Sequence, residues 1–214
     1  SSLSQVSLPM CSYIGSTAFY SCSSLSQVSL PMCRYIETDA FWKCPLSQVS
    51  LPVCSYIGGG VFYKCPLSQV SLPVCSYIGG GAFGYCSSLS QVNLPMCISV
   101  WATAFEYCTS LTQVSLPMCE LIGARVFEYC SSLSQVSLPM CSYIYDAVFR
   151  YCSSLSRITI GYSSVCSLYS TNVFDDTQIT SSTGSIYVPV SLVDAYKSAT
   201  NWSYFSRQIY SISQ

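Results

Sequence analysis

The sequence is short of charge and contains no histidine. Of its 214 residues, 8 are basic and 9 acidic, 8% of the chain, against roughly 25% in an ordinary soluble domain. The missing histidine removes Ser-His-Asp and Cys-His nucleophile pairs, histidine-ligated zinc and any imidazole proton relay. A net charge of −1 without a basic cluster argues against a nucleic-acid surface, which concentrates Lys and Arg. Long apolar runs are lacking as well. Half the residues are hydrophobic and the mean hydropathy is +0.42, yet Ser, Gln and Pro keep every stretch below the ~18 residues of a membrane helix. Membrane insertion is not expected.

What the chain has instead is repetition. Leu-Pro recurs at Leu8, Leu30, Leu51, Leu72, Leu94, Leu116 and Leu138, in steps of 22, 21, 21, 22, 22 and 22. The unit SSLSQVSLPMCSYIGSTAFYSC, Ser1 to Cys22, returns six more times. An eighth, divergent copy runs through Leu155, Ile158, Ile160, Cys166 and Phe174. Such a period excludes a single centralised core. Alternation across Gln5-Val6-Ser7-Leu8 puts Val and Leu on one face and Gln and Ser on the other, as a short strand does. Pro9 has no amide proton and ends the strand. Ala18, Phe19 and Cys22 fit one turn of helix or 3-10 helix on the far side. One coil cannot bury its own Leu, Val, Ile and Phe, whereas stacked coils can. The expected result is a solenoid with a parallel sheet along one side, rising ~4.8 Å per coil.

The pattern LPxCxxIGxxAFxxCxxLxxV, read for instance from Leu72 to Val92, resembles the BspA-like, or Treponema pallidum type, leucine-rich repeats. The match covers residues 1 to about 175 in seven tandem copies. The resemblance implies an α/β fold, a leucine-rich-repeat solenoid with a parallel β-sheet on one side and short helical or 3-10 turns on the other. It also implies a bacterial cell-surface protein of adhesion or binding type without general enzymatic activity. Two copies depart from the pattern, with Ser99-Val100-Trp101 in place of Tyr-Ile-Gly and Glu37 in place of Gly. Their arms are expected to bend differently.

Residues 1–179 read as the solenoid and 180–214 as a C-terminal capping segment. In the latter, Thr180 to Ser185 signals a turn, and Ile186-Tyr187-Val188 a strand. Ser191 to Asp194 reads as a capping box opening a helix with Leu192, Tyr196 and Ala199 on one face, and Gln208 to Ile212 as a last strand. Ser1 lies inside a repeat, without Met, signal peptide or cap, so the chain reads as a fragment of a longer secreted protein.

The 15 cysteines sort into two rows, eight at the Cys11 position ending with Cys166 and seven at the Cys22 position. Disulfides between coils would need Cβ atoms ~3.8 Å apart, whereas equivalent side chains stand ~4.8 Å apart. Zinc sites want closer spacing than nine or ten intervening residues. A ladder of buried thiols acting as small hydrophobes is the preferred reading, with disulfides and soft-metal binding as its competitors. Free thiols in a surface protein would fit a reducing habitat. No cofactor and no metal is assigned.

Three surfaces are candidates for contact. The strand segments of the first seven copies carry no charge, and their outer face is a row of Gln5, Gln27, Gln48, Gln69, Gln91, Gln113 and Gln135 flanked by Ser or Asn. This face either binds a neutral ligand or stacks into ladders that keep the sheet soluble. A second row, Met10, Met32, Val53, Val74, Met96, Met118 and Met140 beside Tyr13, Tyr35, Tyr56, Tyr77 and Tyr143, forms a ridge that is either exposed or tucked against the next coil. The third surface is the arm between the two cysteines, which differs from copy to copy and carries all the charge of those copies. Aromatic and charged residues of the kind enriched in binding hot spots gather there. Trp42, Lys43, Trp101, Glu106, Tyr107, Arg125, Tyr145 and Arg150 are the preferred binding residues.

Together these features point to a surface module that binds a host or neighbouring-cell protein or glycan. The competing reading is a structural spacer that associates with itself through its open N-terminal edge. For an enzyme the only candidates are Asp175-Asp176, which read as turn residues, and thiols with no base beside them. Asn201-Trp202-Ser203 matches a glycosylation sequon and reads as chance in a bacterial protein.

Overall fold

Each copy except the third makes two strand segments. The first is Gln-Val-Ser, as in Gln5–Ser7, and the second is Tyr-Ile, as in Tyr13–Ile14. The computed structural model describes residues 3–161 and 163–212, which wind into a parallel β-solenoid of about 9 turns. Like pairs with like because neighbouring coils are copies. Gln5, Val6 and Ser7 face Gln27, Val28 and Ser29, and Gln113, Val114 and Ser115 face Gln135, Val136 and Ser137. This ladder is interrupted: it narrows to the single bridge Ser29–Ser50 at the third copy, the first of two copies one residue short, and Gln91–Asn93 does not pair with Gln113–Ser115. The Tyr-Ile segments form a second, unbroken ladder of eight strands from Tyr13–Ile14 to Ser167–Leu168. The coil therefore carries two ladders where the repeat pattern led us to expect one.

The arm has its own hydrogen-bond logic. Amides at alternate positions close i,i+3 turns within the coil: Ala18 to Gly15, Tyr20 to Thr17, Cys22 to Phe19. The amides between them donate across to the next coil, Thr17 to Thr38, Phe19 to Ala40 and Ser21 to Trp42, at 2.8–2.9 Å. These are the i,i+3 bonds of a 3-10 turn, but every second one is given to a neighbour. A regular 3-10 helix appears in the eighth coil, Thr171–Phe174. The alternation requires two left-handed residues per coil, for example Asp39 (φ 56°) and Lys43 (φ 55°), or Arg125 (φ 58°) and Tyr129 (φ 62°). Each costs ~1–2 kcal/mol for a non-glycine residue, and the bonds between coils offset it. The bending expected at Glu37 and Trp101 does not occur. Glu37 N–H and Trp101 N–H donate to Ile14 and Ile78 carbonyls at 2.9 Å, just as Gly58 N–H donates to Ile36.

The core is columnar. Phe19, Phe41, Phe62, Phe83, Phe105, Phe127, Phe149 and Phe174 stack with centroids 5.2–5.8 Å apart. Phe205 closes the column edge-on against Phe174 at 5.1 Å, and Trp202 leans on the same ring. The remaining C-terminal elements follow expectation in kind. Ser185–Val188 and Ile209–Ser211 continue the first ladder, with Ile186 beside Ile158 and Ile209 beside Ile186. The capping box is not formed. A 3-10 turn, Val190–Leu192, runs straight into the helix Val193–Ser198, whose N-cap is Leu192 without a side-chain bond.

Three side chains of the cap hydrogen-bond to the eighth coil. Cys166 N–H donates to the Tyr196 hydroxyl at 2.9 Å, and Trp202 Nε1 donates to the Cys166 carbonyl at 2.6 Å. Asn201 Nδ2 donates to the Leu168 and Tyr169 carbonyls at 2.7 and 3.0 Å. The asparagine of the sequon is thus a tie between cap and solenoid.

Candidate binding surfaces

All 15 cysteines are free thiols; Cys11 and Cys22 are half-buried and the others buried. They are more than small hydrophobes. In the second row each thiol from Cys44 onward donates backwards to a phenylalanine carbonyl of the preceding coil, Cys44 to Phe19 at 3.0 Å and Cys152 to Phe127 at 3.0 Å. In the first row the thiols from Cys11 to Cys141 donate to the carbonyl two residues on, as Cys75 does to Tyr77 at 3.2 Å, and Cys166 donates to that of Ser167 at 3.8 Å. Two details depart from the repeat arithmetic. Cys166 stands one residue closer to its strand than its counterparts, since Ser167 pairs with Tyr143. Thr177 occupies the missing second-row place, buried, its hydroxyl donating to the Phe174 carbonyl at 2.7 Å. Burial pushes the Cys75 thiol up to about 11 and those of Cys54, Cys86 and Cys119 up to about 12. The thiolate is the nucleophile, so these sulfurs are inert near neutral pH.

The arms carry a ladder of rings. Tyr20, Trp42 and Tyr63 stack in one column, 6.1 and 3.8 Å apart. Tyr85, Tyr107, Tyr129 and Tyr151 stack in the next, 4.3–4.5 Å apart. Gly84 joins the two columns. A Cβ there would stand 3.0 Å from the Tyr63 ring, so its absence lets Tyr63 lean over and meet Tyr85 at 5.3 Å.

Past Gly84 the vacated column holds Glu106, Glu128 and Arg150, followed by Asp175. Glu128 is fully buried. Arg150 grips its Oε1 with Nη2 and with Nε at 2.6 Å. Arg125 Nε lies 3.0 Å from Oε2, off the N–H axis, and pairs by charge rather than by a hydrogen bond. Burial, and then the neighbouring Glu128, raise the Glu106 carboxyl above its ordinary range. The Glu128 hydrogen bond holds the Arg150 guanidinium further towards its charged form, and that group also lies 5.3 Å over the Tyr151 ring.

The eight residues singled out from the sequence fall into three places. Glu106, Tyr107, Arg125 and Arg150 come together around Glu128. Trp42 and Lys43 lie further toward the N-terminus on the same edge; Lys43 is exposed, but Trp42 is half-buried with its indole N–H unpartnered. Trp101 and Tyr145 belong to another edge. Trp101 is 45% exposed and packs against Tyr77 at 6.2 Å, and Tyr145 stacks on Tyr169 at 5.6 Å. Sequence reasoning counted Glu128 among the arm charges but missed its role. The signal was there in its place between Glu106 and Arg150, one coil away on either side. Asp175 and Asp176 are exposed turn residues.

The other two surfaces are now defined. The methionine ridge is exposed rather than tucked: Met10 by 85% and Met32, Met96, Met118 and Met140 by 44–52%. The Gln-Ser face is a shallow groove of about 760 Å³ that spans the coils from Gln48 to Thr159.

With this geometry in hand, comparison with known proteins decides the family. The model of the BspA type leucine rich repeat region matches residues 1–96 and 76–194, in 6 copies. The chain belongs to the BspA-type leucine-rich repeat family. Among solved structures, this BspA-type chain is similar to a leucine-rich repeat protein from Bacteroides ovatus, with TM-score 0.52 and 17% identity over 98% of this chain and 84% of that one. It is also similar to the T. pallidum leucine rich repeat protein, with TM-score 0.52 and 26% identity over 75% of this chain and 73% of that one. No curated protein matches the sequence. Among the described residues no helix is long and apolar enough to cross a membrane.

Proposed function

We propose that this BspA-type solenoid is a non-enzymatic bacterial cell-surface module for binding and adhesion, with its arm edge as the contact surface for a partner protein. The observation that carries this reading is the cluster around Glu128. Two arginines and two tyrosine rings are held in fixed positions by a buried carboxylate and by stacking, and Arg125 (side chain 50% exposed) faces solvent. Such pre-organisation lowers the ordering cost of binding. Surface placement is supported by membership of the family.

The test is capture on host-protein and glycan arrays by the full chain, by Arg125→Ala with Tyr107→Ala, and by Trp101→Ala. Loss of a protein signal by at least about tenfold in the double variant, with Trp101→Ala unaffected, supports the Glu128 edge. Unchanged capture in the double variant refutes it.

A further inference from the structure

The groove on the Gln-Ser face does not belong to the arms. From Gln48 to Ser137 it is lined by Gln, Ser, Asn, Thr and Val and has no charge; Arg157 appears only at its C-terminal end, its guanidinium 4.2 Å over the Tyr187 ring. Of the valines, Val70, Val114 and Val136 are buried and Val49 and Val92 half-buried against the core, so the polar groups the groove offers ligands are its amides and hydroxyls. Main-chain groups pair between coils from Gln69–Ser71 to Gln91–Asn93 and from Gln113–Ser115 onward. The glutamines stand in register, Gln69 beside Gln91 and Gln113 beside Gln135, but they do not bond one another. The one side-chain pair on this face is Asn93 Nδ2 to Ser71 Oγ, 3.4 Å. Each amide keeps both a donor and an acceptor free.

We propose that this groove is a second binding site, for an uncharged, linear, β-linked hexopyranose chain lying lengthwise across the coils. The absence of charge disfavours an ionic ligand, which would leave water without compensation. The spacing then chooses between neutral polymers. Identical amides recur once per coil, ~4.8 Å apart, whereas an extended peptide repeats its side chains every ~6.6–6.8 Å and falls out of step within two coils. A pyranose ring in an extended β-linked chain advances by nearly one coil and presents hydroxyls that both donate and accept. Five glutamines, Gln48, Gln69, Gln91, Gln113 and Gln135, give room for about as many rings. The site goes beyond the arm reading and does not depend on it.

Calorimetric titration of the full chain with cellohexaose, chitohexaose, an acidic hexagalacturonate and a neutral Ser/Thr-rich peptide tests the proposal. At least one neutral hexasaccharide binds with Kd below about 1 mM, about tenfold tighter than its trisaccharide. Cellohexaose alone would indicate plain hydroxyl recognition, and chitohexaose an N-acetylated chain. Gln91→Ala with Gln113→Ala weakens binding by about tenfold or more; Gln113→Glu, which keeps the side-chain length, does the same, and both keep the parental melting temperature. Arg125→Ala with Tyr107→Ala leaves sugar binding unchanged, which separates this site from the arm surface. No neutral sugar bound at about 10 mM, equal binding of the acidic sugar, no gain with length, indifference to the glutamine variants, or preference for the peptide would each overturn it.

Discussion

The two halves of the arm edge are built from the same repeat but hold together differently. From Tyr20 to Tyr63 the position two before the second cysteine is aromatic, and the coils are joined there by ring stacking. From Glu106 to Arg150 the same position is charged, and the rings have moved one residue along, to Tyr85, Tyr107, Tyr129 and Tyr151. Moving the stack frees a column in which Glu128 is buried between its arginines. The first half offers little beyond packing. The second half is a fixed array of charge and ring edges, the kind of surface a partner can address. One glycine, Gly84, separates the two.

The contrast is open to direct attack, and the largest effect is expected at Glu128. Glu128→Ala strands Arg150 beside the hole and is expected to cost about 3 kcal/mol, as for other broken buried pairs. Tyr63→Ala, at the equivalent place in the aromatic half, is expected to cost about 1–2 kcal/mol of packing and stacking. Urea denaturation of both variants measures the difference, and equal losses would mean that the two halves are energetically alike.

A smaller effect is expected at the junction. Gly84→Ala brings a methyl group against Tyr63 and is expected to cost about 1–2 kcal/mol. The opposite sign, a gain of about 0.4–1 kcal/mol as at unstrained glycines, would show that Gly84 is not what lets the stack change column. Smallest is the effect at Glu106. Burial and Glu128 raise its carboxyl in the folded state, so the folded protein binds that proton more tightly than the unfolded chain. Its contribution to stability is therefore present at low pH and is lost as pH rises through the folded value. Because the group is largely solvent-screened, Glu106→Gln is expected to raise Tm by only about 1–2 °C at pH 7. The gain should vanish below about pH 4, where Glu106 is protonated in both states. A drop in Tm at pH 7 would reverse the assignment.

Much of this molecule can be read from residue spacing because a repeat turns sequence position into spatial position. Val6, Leu8, Ile14 and Phe19 recur at one period, so each must meet its own copy, and the Phe column and in-register strands follow. The cap was legible from Ile186-Tyr187-Val188 and from Leu192, Tyr196 and Ala199. Other features were hidden because they depend on contacts between coils. Nothing within the Tyr-Ile segment alone announces a second ladder, and the second-row thiols' hydrogen bonds run to carbonyls on the preceding coil. The backbone alternation at Asp39 and Lys43 has no glycine to mark it. Thr177 took a cysteine's place unseen because the eighth coil has three extra residues between Ile160 and Thr177, compared with Leu138 to Cys152 in the coil before it.

The sequence by itself determined the solenoid, its family, its uncharged strand face and the absence of histidine chemistry, because composition and period are properties of the chain. The tertiary structure decided which charges are neighbours, that Glu128 is buried, that the methionines are exposed and that the glutamine amides remain free. Those outcomes turn on distances of a few ångströms between residues about 22 positions apart. Hydrogen bonding and desolvation act over such distances, and only the stacked coils set them.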